Sequence, residues 1–448
     1  MEFPRFSGDP ATKAWPSVII RAMRTVAALS WCLILVLLTA GSASAQVTAF
    51  VGGRLIDGTG RVIENGTLII DGGRIVAAGP AATAVPAGAT RVDVKGKTLL
   101  PGLVNAHGHV AATAGLRSDP ASYTRDNLTR QLKTYAQYGV TTVFSLGDDQ
   151  ALGFEMRNEQ AGGPLDRARI FVAGAVITGN TAEEARAMAA KVADMKPDLL
   201  KIRVDDNLGS SRKMPEPAWR AVIDEAHRRN LKVAVHIYLL ADAKATLDGG
   251  ADFIAHSVRD VPVDEGLIAA LKSRDVCYSP TLTREISTFI YDATPTWIDD
   301  PFFVKGVTPD IITQLKDPKR QEQIRNGAGW KAGQQYKAGL EVAKRNLKTL
   351  ADRGVRIAFG TDTGPPARFQ GFFEHLELEM MVEAGLTPMQ ALVSATGDAA
   401  RCHQRAGQFG TLAPGAAADV LILGANPLDN IRNTRSIEQV WINGRKTF

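Results

Sequence analysis

Short apolar runs alternate with longer segments of helical periodicity between residues 99 and 404. This alternation is typical of βα units, in which a helix connects one parallel strand to the next. Eight units of this kind predict an α/β fold, a closed (β/α)8 TIM barrel whose active site lies at the carboxyl ends of its strands. The eight runs are Leu99–Ala106, Thr141–Gly147, Arg169–Val176, Asp198–Val204, Lys232–Tyr238, Phe253–Val258, Val276–Leu282 and Ile357–Asp362.

The pattern changes towards both ends of the chain, where polar and apolar residues alternate between glycine-rich turns. It runs through residues 47–98 and returns in residues 405–448, for example at Asp419–Leu423 and Gln439–Gly444. Neither piece alone holds enough strands for a stable sheet. The sequence therefore predicts a small β-sandwich domain built from both ends, which flanks a barrel over residues 99–404.

One connection, from Thr283 to Arg353, is too long for a simple link between a strand and a helix. Its second part has the periodicity of a single long helix over Ala328–Arg353. We expect the first part to form an insertion that covers the mouth of the barrel.

Residues 1–45 have the composition of a secretory signal peptide. Two arginines precede an apolar stretch at residues 25–40, and small residues follow up to Ala43-Ser44-Ala45. An uncleaved membrane anchor is the competing interpretation, but a spanning helix needs about 20 apolar residues and this stretch is shorter. We expect cleavage near Gln46, with Met23 as an alternative start. The mature protein would then be periplasmic or secreted, without a stable membrane span.

Composition narrows the set of partners. The chain has 448 residues, is 45% hydrophobic and 22% charged, and carries a formal net charge of +5. So weak and dispersed a charge, without a basic stripe and interleaved aromatics, does not predict binding to nucleic acid. The oligomeric state stays open, and a homo-oligomer is one option.

The three cysteines do not form a recognisable framework. Cys32 lies in the signal segment, which leaves Cys277 and Cys402 in the mature chain. These two could pair in an exported protein, but no spacing indicates a disulfide or a cysteine metal site. Because Cys277 lies in an apolar run, we expect it to be buried and unreactive.

Two histidines stand at the end of the first predicted strand. His107 and His109 follow its apolar run directly, and side chains two residues apart on a strand point to the same face. Both imidazoles could therefore bind one metal ion, since histidine nitrogen is a good ligand for zinc. A polar pair on a loop would give the same pattern, so later strands have to supply further ligands.

Four later strands do supply such residues. Buried parallel strands are normally continuous runs of Val, Ile and Leu, and polar side chains there are costly unless something binds them. Each residue has an ordinary alternative: a hydrogen-bonded core histidine, a lysine that reaches the surface, or an aspartate that caps a helix. Chance placement on five separate strands is improbable, which favours a metal site. The four residues are Lys201, His236, His256 and Asp362.

Lys201 distinguishes a site for one ion from a site for two. A protonated ammonium repels a cation, whereas desolvation favours the neutral amine, which can add carbon dioxide to give a carbamate. An N6-carboxylated lysine is an anionic oxygen ligand that could bridge two divalent ions about 3.5–4 Å apart. We expect two such ions, with zinc as the first choice. Their ligands, with Lys201 shared, are His107, His109 and Asp362 for one ion and His236 and His256 for the other.

The order of these ligands, together with five phrases of sequence, resembles the amidohydrolase superfamily. The similarity is to its imidazolonepropionase-like branch, which includes Xaa-Pro dipeptidases (prolidases) and other Xaa-amino-acid dipeptidases with a carboxylated lysine. It covers nearly all of residues 47–448 and is much more specific for the superfamily than for a substrate. The phrases are Leu100–His109, Gly139–Val143, Gly360–Asp362, Glu383–Pro388 and Pro414–Asp419.

The resemblance implies that a metal-bridged hydroxide hydrolyses a C–N amide or peptide bond, in a dipeptide or an N-acyl amino acid. Asp362 would be the general base that passes its proton to the leaving nitrogen. Tyr238 occupies the place of a substrate-contacting tyrosine and would stabilise the oxyanion, although a merely packed aromatic is the alternative. The positions of Arg203 beside Lys201 and of Arg259 after His256 make both arginines candidates to bind a substrate carboxylate.

Two departures from the branch leave the substrate open. The branch often reads Arg-Asp after the second strand and Gly-Gly-His after the third, where this chain has Phe144–Asp148 and Gly179–Thr181. A cyclic-amide hydrolase or a deaminase on the same scaffold is the alternative function, and such deaminases generally use one metal. Imidazolonepropionase itself resembles the chain less well, because it has one metal and no bridging lysine. A non-catalytic binding protein is the third class.

Overall fold

The computed structural model describes residues 47–161 and 165–448. The predicted signal segment lies outside the described residues. Among the helices that the structure describes, none is both long enough and apolar enough to cross a membrane.

Strands from both ends of the described chain pair in one eight-stranded sheet. They are β1 (Thr48–Ile56), β2 (Val62–Asp71), β3 (Arg74–Gly79), β4 (Thr90–Asp93), β5 (Thr98–Pro101), β15 (Val420–Leu423), β16 (Ile437–Ile442) and β17 (Arg445–Lys446). The order is β17-β16-β15-β5-β1-β2-β3, and β4 also pairs with β1. The two ends meet where β5 and β15 run antiparallel, with Leu100 opposite Leu421. Phe50, Leu99 and Ile422 pack in a core that belongs to this sheet.

Seven further strands pair in parallel, apart from a short hairpin of β7 and β8. Their bounds are β6 (Leu103–Gly108), β7 (Thr113–Ala114), β8 (Arg117–Ser118), β9 (Val140–Ser145), β10 (Arg169–Val172), β11 (Leu200–Arg203), β12 (Val233–His236), β13 (Phe253–Ala255) and β14 (Cys277–Ser279). One group has the order β10-β9-β6 and the other β11-β12-β13-β14. Isolated parallel bridges continue this pairing between Ile177 and Ile202, Tyr278 and Ile357, and Gly108 and Thr363. The last two bridges place the segment predicted as the eighth strand between β14 and β6.

The first predicted strand is divided in two. Residues up to Pro101 belong to the sheet of the chain ends, and residues from Leu103 belong to the parallel strands. Gly102 lies between them, where a Cβ atom would stand 2.1 Å from Oγ1 of Thr141. The prediction of one continuous strand is therefore wrong, because the chain changes sheets at a close approach that only glycine permits.

Helices separate the parallel strands, and a long helix follows the insertion. Their bounds are α1 (Arg125–Gln137), α2 (Ala151–Glu159), α3 (Ala182–Asp194), α4 (Glu216–Arg228), α5 (Leu240–Asp248), α6 (Glu265–Ser273), α7 (Leu282–Ile286), α8 (Pro301–Val304), α9 (Pro309–Lys316), α10 (Pro318–Asn326), α11 (Trp330–Asp352), α12 (Phe372–Glu383), α13 (Pro388–Val393) and α14 (Ala399–Cys402). The long helix predicted over Ala328–Arg353 is confirmed as α11. Its buried positions Tyr336, Leu340, Ala343 and Leu347 recur every three or four residues.

Cys277 and Cys402 form a disulfide that joins the first residue of β14 to the last residue of α14. The expectation that Cys277 is buried is confirmed, since it is 3% exposed. The pairing with Cys402, which the sequence left open, is present. The partners are 125 residues apart in sequence, so their proximity follows only from the return of α14 to the parallel strands.

Candidate metal centre

Three ligand-type side chains meet where β6 ends and the segment 356–363 runs beside it. Nε2 of His109 lies 2.9 Å from Oδ1 of Asp362, and Nε2 of His107 lies 3.5 Å from the same oxygen. Two ligands of a tetrahedral zinc ion, each about 2.0–2.1 Å from the metal, are about 3.3 Å apart. The three side chains therefore fit the donor set and spacing of a divalent metal site.

His107 and His109 are positioned by contacts with their own strand, β6, and with the loop after the neighbouring strand, β9. Nδ1 of His109 lies 3.1 Å from the carbonyl oxygen of Gly147, and the main-chain N–H of His107 donates to Oδ1 of Asn105 over 3.0 Å. Nδ1 of His107 is buried without a hydrogen-bond partner among the described residues. Burial and the charge of Lys201 lower the pKa of His107 well below its usual value, so its imidazole is neutral, as a metal ligand has to be.

A buried carboxylate, Glu374 on α12, joins the two segments that carry these ligands. Its Oε1 accepts hydrogen bonds from Asn105 Nδ2 at 2.7 Å, Thr361 Oγ1 at 2.8 Å and Thr363 Oγ1 at 2.6 Å. Its Oε2 accepts from the main-chain N–H of Gly371. Because Asn105 lies on β6 with His107, and the two threonines flank Asp362 on the neighbouring segment, Glu374 ties both segments together.

Two further histidines lie at the ends of β12 and β13. The ring centroids of His236 and His256 are 3.9 Å apart, and those of His256 and His107 are 4.6 Å apart. Nε2 of His236 lies 2.9 Å from Oδ2 of Asp205, and Nδ1 of His256 lies 2.7 Å from Oγ1 of Thr281. Each imidazole thus uses one nitrogen for the protein and keeps the other for a ligand, the arrangement that outer partners impose on metal-binding histidines.

Lys201 on β11 lies between these two groups of histidines. Its Nζ is 3.5 Å from Nε2 of His107, and the residue is 3% exposed. No carboxylate of the described residues comes within ion-pair distance of it. Burial lowers the pKa of Lys201 to about 7, which makes the neutral amine available near neutral pH.

An arginine and two histidines surround the carboxylate of Asp362. Nη1 of Arg368 contacts its Oδ2, and Nε of Arg368 in turn lies 3.0 Å from Oγ of Ser287. Burial alone would raise the pKa of Asp362, but the charge of Arg368 and the hydrogen bond with His109 lower it well below its usual value. The carboxylate is therefore ionised at neutral pH.

Several of these residues have a backbone conformation that side chains disfavour. The φ angle is 63° at Asp148, 75° at His256, 47° at Thr281 and 57° at Asp362. Left-handed backbone at residues other than glycine costs on the order of 1–3 kcal/mol and clusters at functional sites. The strained backbone at Asp362 and His256 thus directs both side chains towards the centre.

The residues predicted to contact substrate are packed differently from the ligands. Tyr238 is 9% exposed, and the guanidinium of Arg259 lies 4.6 Å from its ring centroid. Arg259 is fully buried, and its Nη1 donates to the carbonyls of Ile237 and Ser257. Arg203 contacts Asn207 and is a third exposed. Their roles in substrate binding stay predictions.

Four residues of the site were missed in the sequence. Asp205 lies four residues after Lys201, and residues an even number apart on a strand share a face. That spacing is a signal that could have revealed it. Thr281 and Arg368 lie in loops, and Glu374 lies on a helix, where polar residues are ordinary. Nothing in the sequence pattern marks these last three.

Comparisons with known proteins agree with this arrangement. The model of the amidohydrolase family matches residues 98–447. Ochratoxinase from Aspergillus niger is 26% identical over 246 residues, which are 54% of this chain and 43% of the relative. The chain therefore matches less than half the length of that relative. Imidazolonepropionase from Nocardia farcinica is 24% identical over 369 residues, which are 76% of this chain and 81% of the relative.

Solved structures show the same fold. A Xaa-Pro dipeptidase with bound methionine in its active site aligns with a TM-score of 0.71 at 21% identity, over 90% of this chain and 99% of that chain. The structure of A. niger ochratoxinase aligns with a TM-score of 0.70 at 20% identity, over 90% of this chain and 96% of that chain. The shared architecture is a TIM barrel plus a β domain.

Proposed function

The chain belongs to the amidohydrolase family, and from this premise we propose that it is an exported metal-dependent hydrolase that cleaves a C–N amide or peptide bond in a small molecule. The observation that carries the proposal is the group of His107, His109 and Asp362, whose ligand atoms lie within 4.8 Å of one another. The likeness to a Xaa-Pro dipeptidase supports a dipeptide or an N-acyl amino acid as substrate.

We propose that the centre holds two divalent ions, with zinc as the first choice. Lys201, carboxylated at N6, would be shared between the ions; its burial and its 3.5 Å distance from His107 support this role. When bound, the ions supply Lewis-acid chemistry, which polarises a carbonyl and makes water a better nucleophile. The remaining ligands would be His107, His109 and Asp362 for one ion and His236 and His256 for the other.

The chain's own residues would then handle the proton and the substrate oxygen. The ionised Asp362, held by Arg368, accepts a proton from the attacking water and passes it to the leaving nitrogen. Burial raises the pKa of Tyr238, so its hydroxyl stays protonated at neutral pH. In this proposal Tyr238 donates a hydrogen bond to the carbonyl oxygen as negative charge develops there.

Export is part of the same proposal. The apolar stretch at residues 25–40 and the Ala43-Ser44-Ala45 site support a cleaved signal peptide. The disulfide between Cys277 and Cys402 supports an oxidising compartment, where such bonds persist. Sequencing the amino terminus of the exported protein tests this: a mature chain that begins near Gln46 is expected, and an intact leader would contradict it.

The hydrolytic activity is tested with the zinc-loaded exported enzyme on Xaa-Pro dipeptides, Xaa-Arg dipeptides, N-acyl amino acids and aromatic amides. We expect release of a free amine from at least one class, with loss of activity after chelation and recovery with zinc. The Asp362→Asn variant should stay at least about 100-fold less active than wild type with zinc present. No hydrolysis in any class would contradict the proposal.

A cyclic-amide hydrolase is the second candidate, because the Nocardia farcinica imidazolonepropionase matches 76% of this chain. Five-membered cyclic amides belong in the same screen, and ammonia release is measured alongside to detect a deaminase. Ring opening together with a single zinc per chain, unchanged in Lys201→Ala, would favour this candidate over the amide hydrolase.

A further inference from the structure

A cluster of two arginines, two tyrosines and one glutamate lies beside the metal centre. Its members come from the segments that follow β12, β13 and β14 and from α11. We call it the arginine–tyrosine cluster. Its residues are Tyr238, Arg259, Arg284, Glu285 and Tyr336.

The rings and guanidinium groups of the cluster stack on one another. The guanidinium of Arg284 lies 4.3 Å from the ring centroid of Tyr336, and that of Arg259 lies 4.6 Å from the ring centroid of Tyr238. The two tyrosines meet edge to face at 6.0 Å. Gly339 on α11 permits this approach, since a Cβ atom there would lie 3.3 Å from the Tyr238 hydroxyl.

The cluster holds more positive than negative charge. Glu285 is the shared carboxylate: its Oε1 lies 3.3 Å from Nε of Arg259, and its Oε2 lies 3.0 Å from Nη1 of Arg284. Two guanidinium groups therefore share one carboxylate. Nη2 of Arg259 and Nε of Arg284 are buried without a hydrogen-bond partner among the described residues, and Nε of Arg259 has only the ion pair with Glu285. Buried arginine nitrogens are normally satisfied, and an anion is the partner they suit best.

The helix that carries Arg284 touches both groups of metal ligands. Thr281, at its start, contacts His256. Thr283 donates to the carbonyl oxygen of Thr361, next to Asp362, over 3.2 Å. Ser287 donates to the carbonyl oxygen of Arg284 and contacts Arg368, the partner of Asp362. Arg284 therefore lies on a short helix whose neighbouring residues contact the metal ligands.

The two arginines differ in access. The side chain of Arg259 is 0% exposed, and its Nη1 is fixed on two main-chain carbonyls. The side chain of Arg284 is 7% exposed, with one partner of opposite charge and an aromatic face behind it. Arg259 is therefore suited to support Tyr238 and Glu285, whereas Arg284 is suited to meet a ligand.

We propose that Arg284, backed by Tyr336, binds a carboxylate of the substrate and makes the enzyme selective for amides that carry a free carboxylate near the bond that is cleaved. This inference rests on the proposed amide hydrolase and assigns to Arg284 the role that the sequence suggested for Arg203 and Arg259. The excess positive charge of the cluster is then neutralised by substrate.

Matched pairs of substrates test the inference on the zinc-loaded enzyme. One pair is glycyl-L-proline and glycyl-L-prolinamide; the other is N-acetyl-L-phenylalanine and N-acetyl-L-phenylalaninamide. Wild type should prefer the carboxylate member of a pair in kcat/KM. Arg284→Met should lower kcat/KM for that member by roughly 10- to 100-fold, the scale of one charge-assisted contact, and leave the neutral member nearly unchanged. Arg284→Lys should recover part of the preference.

The exposed Arg345 on α11 supplies the matched control, since Arg345→Met removes an arginine outside the cluster. Equal hydrolysis of both members by wild type, or an equal loss for both in Arg284→Met, would overturn the inference while the hydrolase proposal stands. If no member is hydrolysed, calorimetric titration with N-acetyl-L-phenylalanine and its amide decides: carboxylate binding lost in Arg284→Met supports the inference, and unchanged binding overturns it.

Discussion

The two halves of the candidate metal centre are built in different ways. In the first half, His107, His109 and Asp362 already lie at ligand spacing from one another, with nitrogen to oxygen distances of 2.9 and 3.5 Å. In the second half, the ring centroids of His236 and His256 are 3.9 Å apart, and among the described residues no carboxylate completes a three-ligand group with them. The first half therefore has a set of three ligands, whereas the second half has two histidines and depends on the proposed shared ligand, Lys201.

The residues that hydrogen-bond to the ligands also differ between the two halves. Glu374 accepts four hydrogen bonds and joins both segments of the first half. In the second half, Asp205 orients only His236, and Thr281 orients only His256. Substitution of Glu374 should therefore displace all three ligands of the first half. Substitution of Asp205 or Thr281 should displace only the histidine that it contacts.

The largest effect is expected from Asp362→Asn, which breaks the first half directly. The change removes a ligand, the proposed base and the partner of Arg368 at nearly constant volume. Activity should fall by about 10²- to 10⁴-fold, the usual contribution of a positioned general base, with loss of metal from the first half. Steady-state kinetics and metal analysis measure both, with the exposed Asp248→Asn as control. Wild-type activity in Asp362→Asn would contradict this role.

Lys201→Ala tests whether the halves depend on a shared ligand. Without its amine the second half keeps only two neutral histidines, so metal content should fall from two per chain to one or fewer, and activity by about 100-fold or more. Lys201→Glu supplies an anionic oxygen in a similar place and should recover part of both. Mass spectrometry of metals and kinetics give the two readouts. Two metals per chain in Lys201→Ala would show that the lysine is not shared.

Glu374→Gln and Asp205→Asn sharpen the contrast between the supports. Loss of an outer partner typically weakens metal binding by about 10- to 100-fold. Glu374→Gln should show the greater loss of metal affinity, because it disturbs both segments of the first half. Asp205→Asn should weaken only the ion beside His236 and His256. Competition with a chelator measures each affinity. A larger effect of Asp205→Asn would reverse the comparison.

The same contrast shows what a sequence can reveal. The six proposed ligands lie on five predicted strands, and they stand out because a polar residue in an apolar strand is unusual. Arg368 and Glu374 do not stand out, because one lies in a loop and the other on a helix, where polar residues are expected. The strand break at Gly102 was hidden for another reason: it depends on the approach of Thr141 from a distant part of the chain.

The smallest effect on catalysis is expected outside both halves. Replacing Cys277 and Cys402 together by serine removes the disulfide, which should lower the free energy of unfolding by about 2–4 kcal/mol. The kcat of the folded protein should stay within about twofold, because neither cysteine contacts a ligand of the centre. Urea unfolding and kinetics of the double variant test this. A loss of metal with stability unchanged would tie the disulfide to the site instead.

The central claim is that His107, His109, Lys201, His236, His256 and Asp362 hold two ions. Anomalous X-ray diffraction at the zinc edge, from crystals of the zinc-loaded enzyme, tests it most directly. The expected result is two peaks, one among His107, His109 and Asp362 and one beside His236 and His256, with density for a carboxylated Lys201 between them. A single peak, or a peak away from these residues, would contradict the two-ion centre.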